Sequence, residues 1–101
     1  MKYKVMIVED QTMPRELFEL RIQASEHFEV ALSIDNAALA DVYCLRFPVD
    51  LILMDVVTRN GESGLDAAER IKRAFPQIKI IIVTSMPECS YLSRAREIGV
   101  E

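Results

Sequence analysis

An α/β fold, with a parallel sheet doubly wound between two layers of helices, is what this sequence predicts, and three observations predict it. Apolar, β-rich runs alternate with helix-period stretches four times along the chain. The runs at Leu51 to Met54 and Ile80 to Val83 are apolar without alternation, the composition of strands buried on both faces. At 101 residues, 50% hydrophobic and 28% charged, the chain is too short for two cores and too apolar for a disordered segment.

The elements follow in order. Lys4 to Val8 reads as the first strand, with Glu9 to Met13 as the polar turn after it. Pro14 stands in the first turn of the helix that follows, where its missing N–H costs nothing. Met13, Leu17, Leu20 and Ala24 recur at helical spacing and are expected to face the sheet. Glu29 to Ile34 makes the second strand, and Asp35 and Asn36 offer cap side chains for a second helix. In that helix Ala40, Tyr43, Cys44 and Phe47 share a face, and Pro48 stops it. The third strand delivers Asp55 to its C-terminal end. After a loop from Val56 to Ser63, Gly64 to Phe75 is a third helix with Leu65, Ala68, Ile71 and Phe75 inward. Its wet side carries the i,i+4 pairs Asp66–Arg70 and Glu69–Arg73. The fourth strand, Lys79 to Val83, ends at Thr84 and Ser85. A fourth helix runs from about Pro87 to Ile98, with Tyr91, Leu92, Ala95 and Ile98 inward and Gly99 as its C-cap.

Composition excludes several functions. Twelve basic against sixteen acidic residues leave a net charge of −4, so no basic footprint supports direct nucleic-acid binding by this segment. No apolar run approaches the roughly 18 residues of a membrane span, and the N-terminus lacks a signal sequence, so a cytoplasmic protein is expected. Cys44 and Cys89 lie far apart without metal-ligand spacing and read as buried, reduced thiols. His27, in the turn before the second strand, falls on the rim opposite Asp55 and reads as a solvated turn residue. Met6 and Met54 sit within strands as core fillers.

Right-handed crossovers gather every strand-to-helix loop on one rim of such a sheet. Glu9, Asp10, Asp55, Thr84 and Ser85 therefore converge. Any one acidic residue after a strand is an ordinary turn residue, but three together repel. Two carboxylates about 5 Å apart repel by roughly 3 kcal/mol at an effective dielectric near 20, which calls for a divalent cation such as Mg²⁺. No glycine-rich phosphate loop follows any strand, so nucleotide binding is excluded. A carboxylate able to attack phosphorus, a metal and a hydroxyl remain, the parts of an aspartyl-phosphate site.

At these residues the chain resembles the receiver domain of two-component response regulators, a flavodoxin-like fold. The resemblance rests on K-V-M-I-V followed by Glu9 and Asp10, D-L-I-L-M-D ending at Asp55, G-L-D-A-A, and I-I-I-V-T-S ending at Thr84 and Ser85. It implies strand order 2-1-3-4, with Asp55 as phosphoacceptor and Glu9, Asp10 and Asp55 holding Mg²⁺ (or Mn²⁺) together with the Val57 backbone carbonyl. Thr84 would be the switch hydroxyl that binds the phosphoryl group. It further implies a phosphorylation-dependent signalling switch whose phosphodonor is a sensor histidine kinase. Such a domain assists its own phosphorylation without turning over an external substrate. The Pro14 start and the A-R-E-I-G-V ending resemble the branch whose receivers precede a DNA-binding effector in a longer chain.

Departures accompany the matches. Arg59 and Ser63 stand where the family has a proline and a glycine, and Gly64 comes one position late, so the loop after Asp55 reads as one residue longer. The family's fifth strand, with its phosphoryl-pairing lysine, and the last helix would follow Val100; residues 1–101 are therefore expected to be a C-terminally truncated receiver. That would leave the fourth strand as an apolar edge, to be covered by the rest of a longer chain or by a homodimer neighbour. Altered loop and absent lysine keep a second function open, a non-phosphorylated receiver-like dimerisation or interaction module. A haloacid-dehalogenase-like phosphohydrolase is disfavoured because Val57 replaces the aspartate it needs two residues after the nucleophile.

Overall fold

The computed structural model describes residues 2–55, 63–83 and 92–100, with side chains of the last stretch from Ala95 onward. Four parallel strands, β1 (Tyr3–Val8), β2 (Phe28–Ile34), β3 (Leu51–Asp55) and β4 (Lys79–Val83), form one sheet in the order β2-β1-β3-β4. Four helices alternate with them: α1 (Thr12–Gln23), α2 (Ala40–Arg46), α3 (Gly64–Ala74) and α4 (Leu92–Ile98). The expected class and strand order are those observed, and no helix among the described residues is long and apolar enough to cross a membrane.

One face of the sheet carries the core. Met6, Val8, Ile52, Met54 and Ile80 pack there against Ala40 and Cys44 of α2 and Leu65, Ala68 and Ile71 of α3. Ala95 of α4 joins them, with Ile98 packed alongside. Cys44 is a buried free thiol, and burial pushes its pKa up to about 11, so it packs as a small apolar group. Cys89 lies outside the described residues. His27 is exposed in the turn before β2, as its position in the chain implies.

Burial of β3 and β4 on both faces does not hold. Ile52, Met54 and Ile80 are buried and Ile82 beside them is partly so, whereas every apolar residue on the opposite face, Leu51, Leu53, Ile81 and Val83, is only partly buried. The cause is that α1, which lies on that opposite face, packs against β1 and β2. An apolar run shows that a strand can be buried twice, not that both covers are present.

The face of α1 is also corrected. Met13, Leu17 and Leu20 are 82%, 52% and 63% exposed, and Ala24 is exposed as well. The partly buried residues of the helix are Pro14, Arg15, Phe18, Glu19 and Ile22, and the apolar Phe18 and Ile22 among them turn toward the sheet. On this side of the helix the Arg15 Nη1 donates to the Glu9 carbonyl at 3.1 Å. The helix carries two apolar stripes, and its packing on β1 and β2 covers the one with Phe18 and Ile22.

Smaller differences have local reasons. The N-cap of α2 is Leu39 with no side-chain cap; Asn36 instead accepts from the Ala38 N–H through Oδ1 and shapes the preceding turn. Phe47 leaves the helix in extended conformation and is 44% exposed, its ring tilted over Tyr43 at 6.3 Å, so it is not on the inward face. Arg73 pairs with Glu69 at 2.8 Å as the spacing predicts, while Arg70 reaches Asp41 of α2 at 3.5 Å. Gly99 has φ of 88°, the left-handed C-cap expected of it. The expected start of α4 at Pro87, and the inward placement of Tyr91 and Leu92, lie outside the described side chains.

Candidate functional site

Glu9 and Asp10 follow β1 directly, and Asp55 is the last residue of β3, the adjacent strand. Parallel neighbours end on the same rim, so the three side chains meet where ligands of open α/β sheets bind. One carboxylate oxygen from each lies within 4.8 Å of the others, and all three residues are partly buried. Like charges held this close repel one another, and partial exposure to solvent screens that repulsion. The set is complementary to a hard divalent cation, whose preferred ligands are carboxylates, a carbonyl and water.

Backbone contacts fix Glu9 and Asp55. The Glu9 N–H donates to the Ile34 carbonyl at 3.0 Å, so β2 holds the strand end. Its carbonyl receives the Arg15 guanidinium, and its Oε2 accepts from the Gln11 N–H at 3.4 Å. Asp55 is held from the other side by Gly64. A Cβ built on Gly64 would fall 1.8 Å from the Asp55 carbonyl oxygen, so no side chain fits there and the first turn of α3 presses directly on the Asp55 backbone. Ser63 caps that turn, its Oγ accepting from the N–H groups of Leu65 and Asp66 at 3.1 and 3.5 Å.

Of the residues named from the sequence, Glu9, Asp10 and Asp55 are brought together. Val57 and Thr84 lie outside the described residues, as do Arg59, Ser85 and Met86. Three positioning residues went unremarked as such: Arg15, Ser63 and Gly64. The signal for Gly64 was present, since the glycine of G-L-D-A-A opens the helix that follows the Asp55 strand. Arg15 carried no such signal.

Comparison with known proteins bears on the family and the fold. Residues 5–101 match the family described as response regulator receiver domain. The chain is 30% identical over 95 residues to the Fimbriae Z protein of Escherichia coli K12, covering 94% of this chain and 45% of that protein. It is 30% identical over 89 residues to the oxygen regulatory protein NreC of Staphylococcus haemolyticus, covering 88% of this chain and 41% of that one. The chain thus spans less than half the length of these curated relatives. Among solved structures, a LuxR-family DNA-binding response regulator from Staphylococcus aureus superposes with a TM-score of 0.88 at 26% identity, over 97% of this chain and 81% of that one. A CheY-like receiver domain protein from Methanospirillum hungatei has the same fold, with a TM-score of 0.88 at 19% identity over 100% of this chain and 78% of that one. With the strand order, the convergent acids and a family match over almost the whole chain, this protein belongs to the response regulator receiver domain family.

Proposed function

We propose that this receiver domain is a phosphorylation-dependent switch in which Asp55 accepts the phosphoryl group. The carrying observation is the meeting of the Glu9, Asp10 and Asp55 carboxylates within 4.8 Å at the C-terminal rim. A carboxylate oxygen of Asp55 forms the new bond to phosphorus as the bond from phosphorus to the donor breaks, a histidine nitrogen of a sensor kinase or the acyl oxygen of a small phosphodonor. The bonding pair leaves with the donor. Glu9, Asp10 and Asp55 would hold Mg²⁺ or Mn²⁺, with the Val57 carbonyl as a further ligand. When bound, such an ion neutralises charge on the phosphoryl oxygens.

This chain's own residues supply positioning. Gly64 and the α3 N-terminus hold the Asp55 backbone, and Arg15 holds Glu9, so the nucleophile is presented on a rigid strand end. Thr84, the first residue after β4, is the hydroxyl assigned to the phosphoryl group, biasing a two-state equilibrium in the α4 region. The LuxR-family relative is described as DNA-binding; for this chain the corresponding output is a DNA-binding effector in a longer cytoplasmic protein.

Intact-mass measurement after incubation with acetyl phosphate and Mg²⁺ tests the reading. One added phosphoryl group, absent in Asp55→Asn, is the expected result. Phosphorylation of the Asp55→Asn protein would place the acceptor elsewhere, and no phosphorylation of the wild-type chain would favour an interaction module.

A further inference from the structure

We infer that the pocket at the C-terminal end of β2 is a binding site for a small zwitterion of the α-amino-acid class. A cavity of about 290 Å³ opens there between the end of β2, the start of α1 and the N-terminal part of α2. Pockets for drug-sized ligands begin at about 300 Å³, so the occupant is smaller than these. The cavity lies at the β2 edge of the sheet, with β1 and β3 between it and β4.

Polar groups on its walls lack partners. The Arg15 guanidinium is partly buried, and its one hydrogen bond among the described residues goes to the Glu9 carbonyl at 3.1 Å. No carboxylate among the described residues pairs with it. A partly buried cation without an anion is costly, and five N–H donors leave most of its bonding capacity open. Ser33 adds a buried hydroxyl with no partner, and Tyr43 a phenol with no hydrogen bond among the described residues. Asp35 brings the opposite charge: its Oδ1 accepts from the Asn36 amide at 3.2 Å, and a carboxylate has capacity for further donors.

One cation and one carboxylate leave the walls with no net charge, which disfavours phosphate and favours a ligand carrying both signs. The ligand's carboxylate is matched to Arg15, whose planar fork can make two parallel bonds to it, and its ammonium to Asp35. A short side chain is matched to Ile34 and the exposed Leu39, the apolar part of the lining. The site adjoins the acids without including them, since the Glu9 N–H donates to the Ile34 carbonyl at 3.0 Å and Arg15 meets the Glu9 carbonyl.

The test is titration of the isotope-labelled chain with each standard amino acid, and with inorganic phosphate, followed by amide chemical shifts. Neither Mg²⁺ nor a phosphodonor is present, so failure here leaves the phosphorylation reading standing. Saturable shifts at Arg15, Ser33 to Asn36 and Tyr43 are expected for at least one amino acid, with a dissociation constant of about 1 mM or tighter. Arg15→Gln should weaken binding at least about tenfold. Asp35→Asn should weaken the amino acid similarly but leave the corresponding acid without its amino group unaffected, a split that general loosening of the pocket would not produce. Tyr43→Phe, which keeps the ring, should weaken binding several-fold and serves if the Arg15 variant fails to fold. No saturable shift with any amino acid would overturn the inference, as would unchanged affinity in Arg15→Gln. So would phosphate binding tighter than every amino acid, or an Asp35→Asn effect equal on the amine-free acid.

Discussion

Gly64 shows how much of the site rests on an atom that is not there. Alanine at the start of α3 would gain about 1 kcal/mol of helix propensity over glycine. Its Cβ, however, would have to occupy a point 1.8 Å from the Asp55 carbonyl oxygen, and the obstacle is backbone, not a side chain able to swing away. Overpacking of this kind typically costs about 1–3 kcal/mol, so the clash outweighs the propensity gain. Gly64→Ala is therefore expected to lower urea-unfolding stability by about 1–2 kcal/mol. It should also slow phosphorylation of Asp55, because the acceptor carboxylate moves with its backbone. Equal or greater stability in the variant would show that α3 can back away from the strand end.

Elements are held by short-range devices that also serve the site. The N-terminus of α3 lies beside Asp55, and Ser63 satisfies two of its otherwise orphaned N–H groups. Ser63→Ala should cost about 1 kcal/mol in denaturant unfolding, the usual effect of removing an N-cap, while Ser63→Asp should restore most of it. Failure of aspartate to rescue would mean that the hydroxyl acts otherwise than as a cap. The β1–β2 pairing has a comparable local device, a one-residue register shift between Val5 and Met6. Beyond it Leu32 and Ile34 reach the core face beside Met6 and Val8, while Ser33 turns to the α1 side, where its Oγ is buried without a partner among the described residues. At the opposite rim Asp50 joins three strands: its carboxylate and N–H bond the Lys4 N–H and carbonyl at 2.8 Å each, and its carbonyl receives the Lys79 N–H at 3.1 Å.

At the scale of the whole molecule, the three acids couple metal binding to folding. Without a cation they oppose the folded state, so Asp10→Asn should raise the stability of the metal-free protein by about 1 kcal/mol, the pairwise repulsion being screened by partial exposure. With Mg²⁺ the order should invert. Saturating metal at about 100 times its dissociation constant adds about 2.7 kcal/mol to a protein that binds it only when folded, and Asp10→Asn should lose most of that gain. Thermal unfolding of both proteins with and without Mg²⁺ reads both signs. The same Mg²⁺-induced shift in wild type and Asp10→Asn would remove Asp10 from the metal site.

Much of this was legible in the order of residue types. Four apolar runs separated by helix-period segments dictate parallel βα units, and chirality then places Glu9, Asp10 and Asp55 on one rim without any knowledge of contacts. The cap at Gly99 was legible for the same reason, since a left-handed residue after a helix is a local requirement. Other features were decided between segments distant in the chain. Two apolar stripes on α1 are equivalent by periodicity, and only the packing of the helix on β1 and β2 turns Phe18 and Ile22 inward and leaves Leu17 and Leu20 exposed. Burial of β3 and β4 on one face depends on where α1 comes to rest, and the close approach of Gly64 depends on how α3 meets Asp55. Hydrophobic pattern specifies which surfaces must be covered; the tertiary structure decides what covers them, because burial is a property of pairs of surfaces and a sequence states only one member at a time.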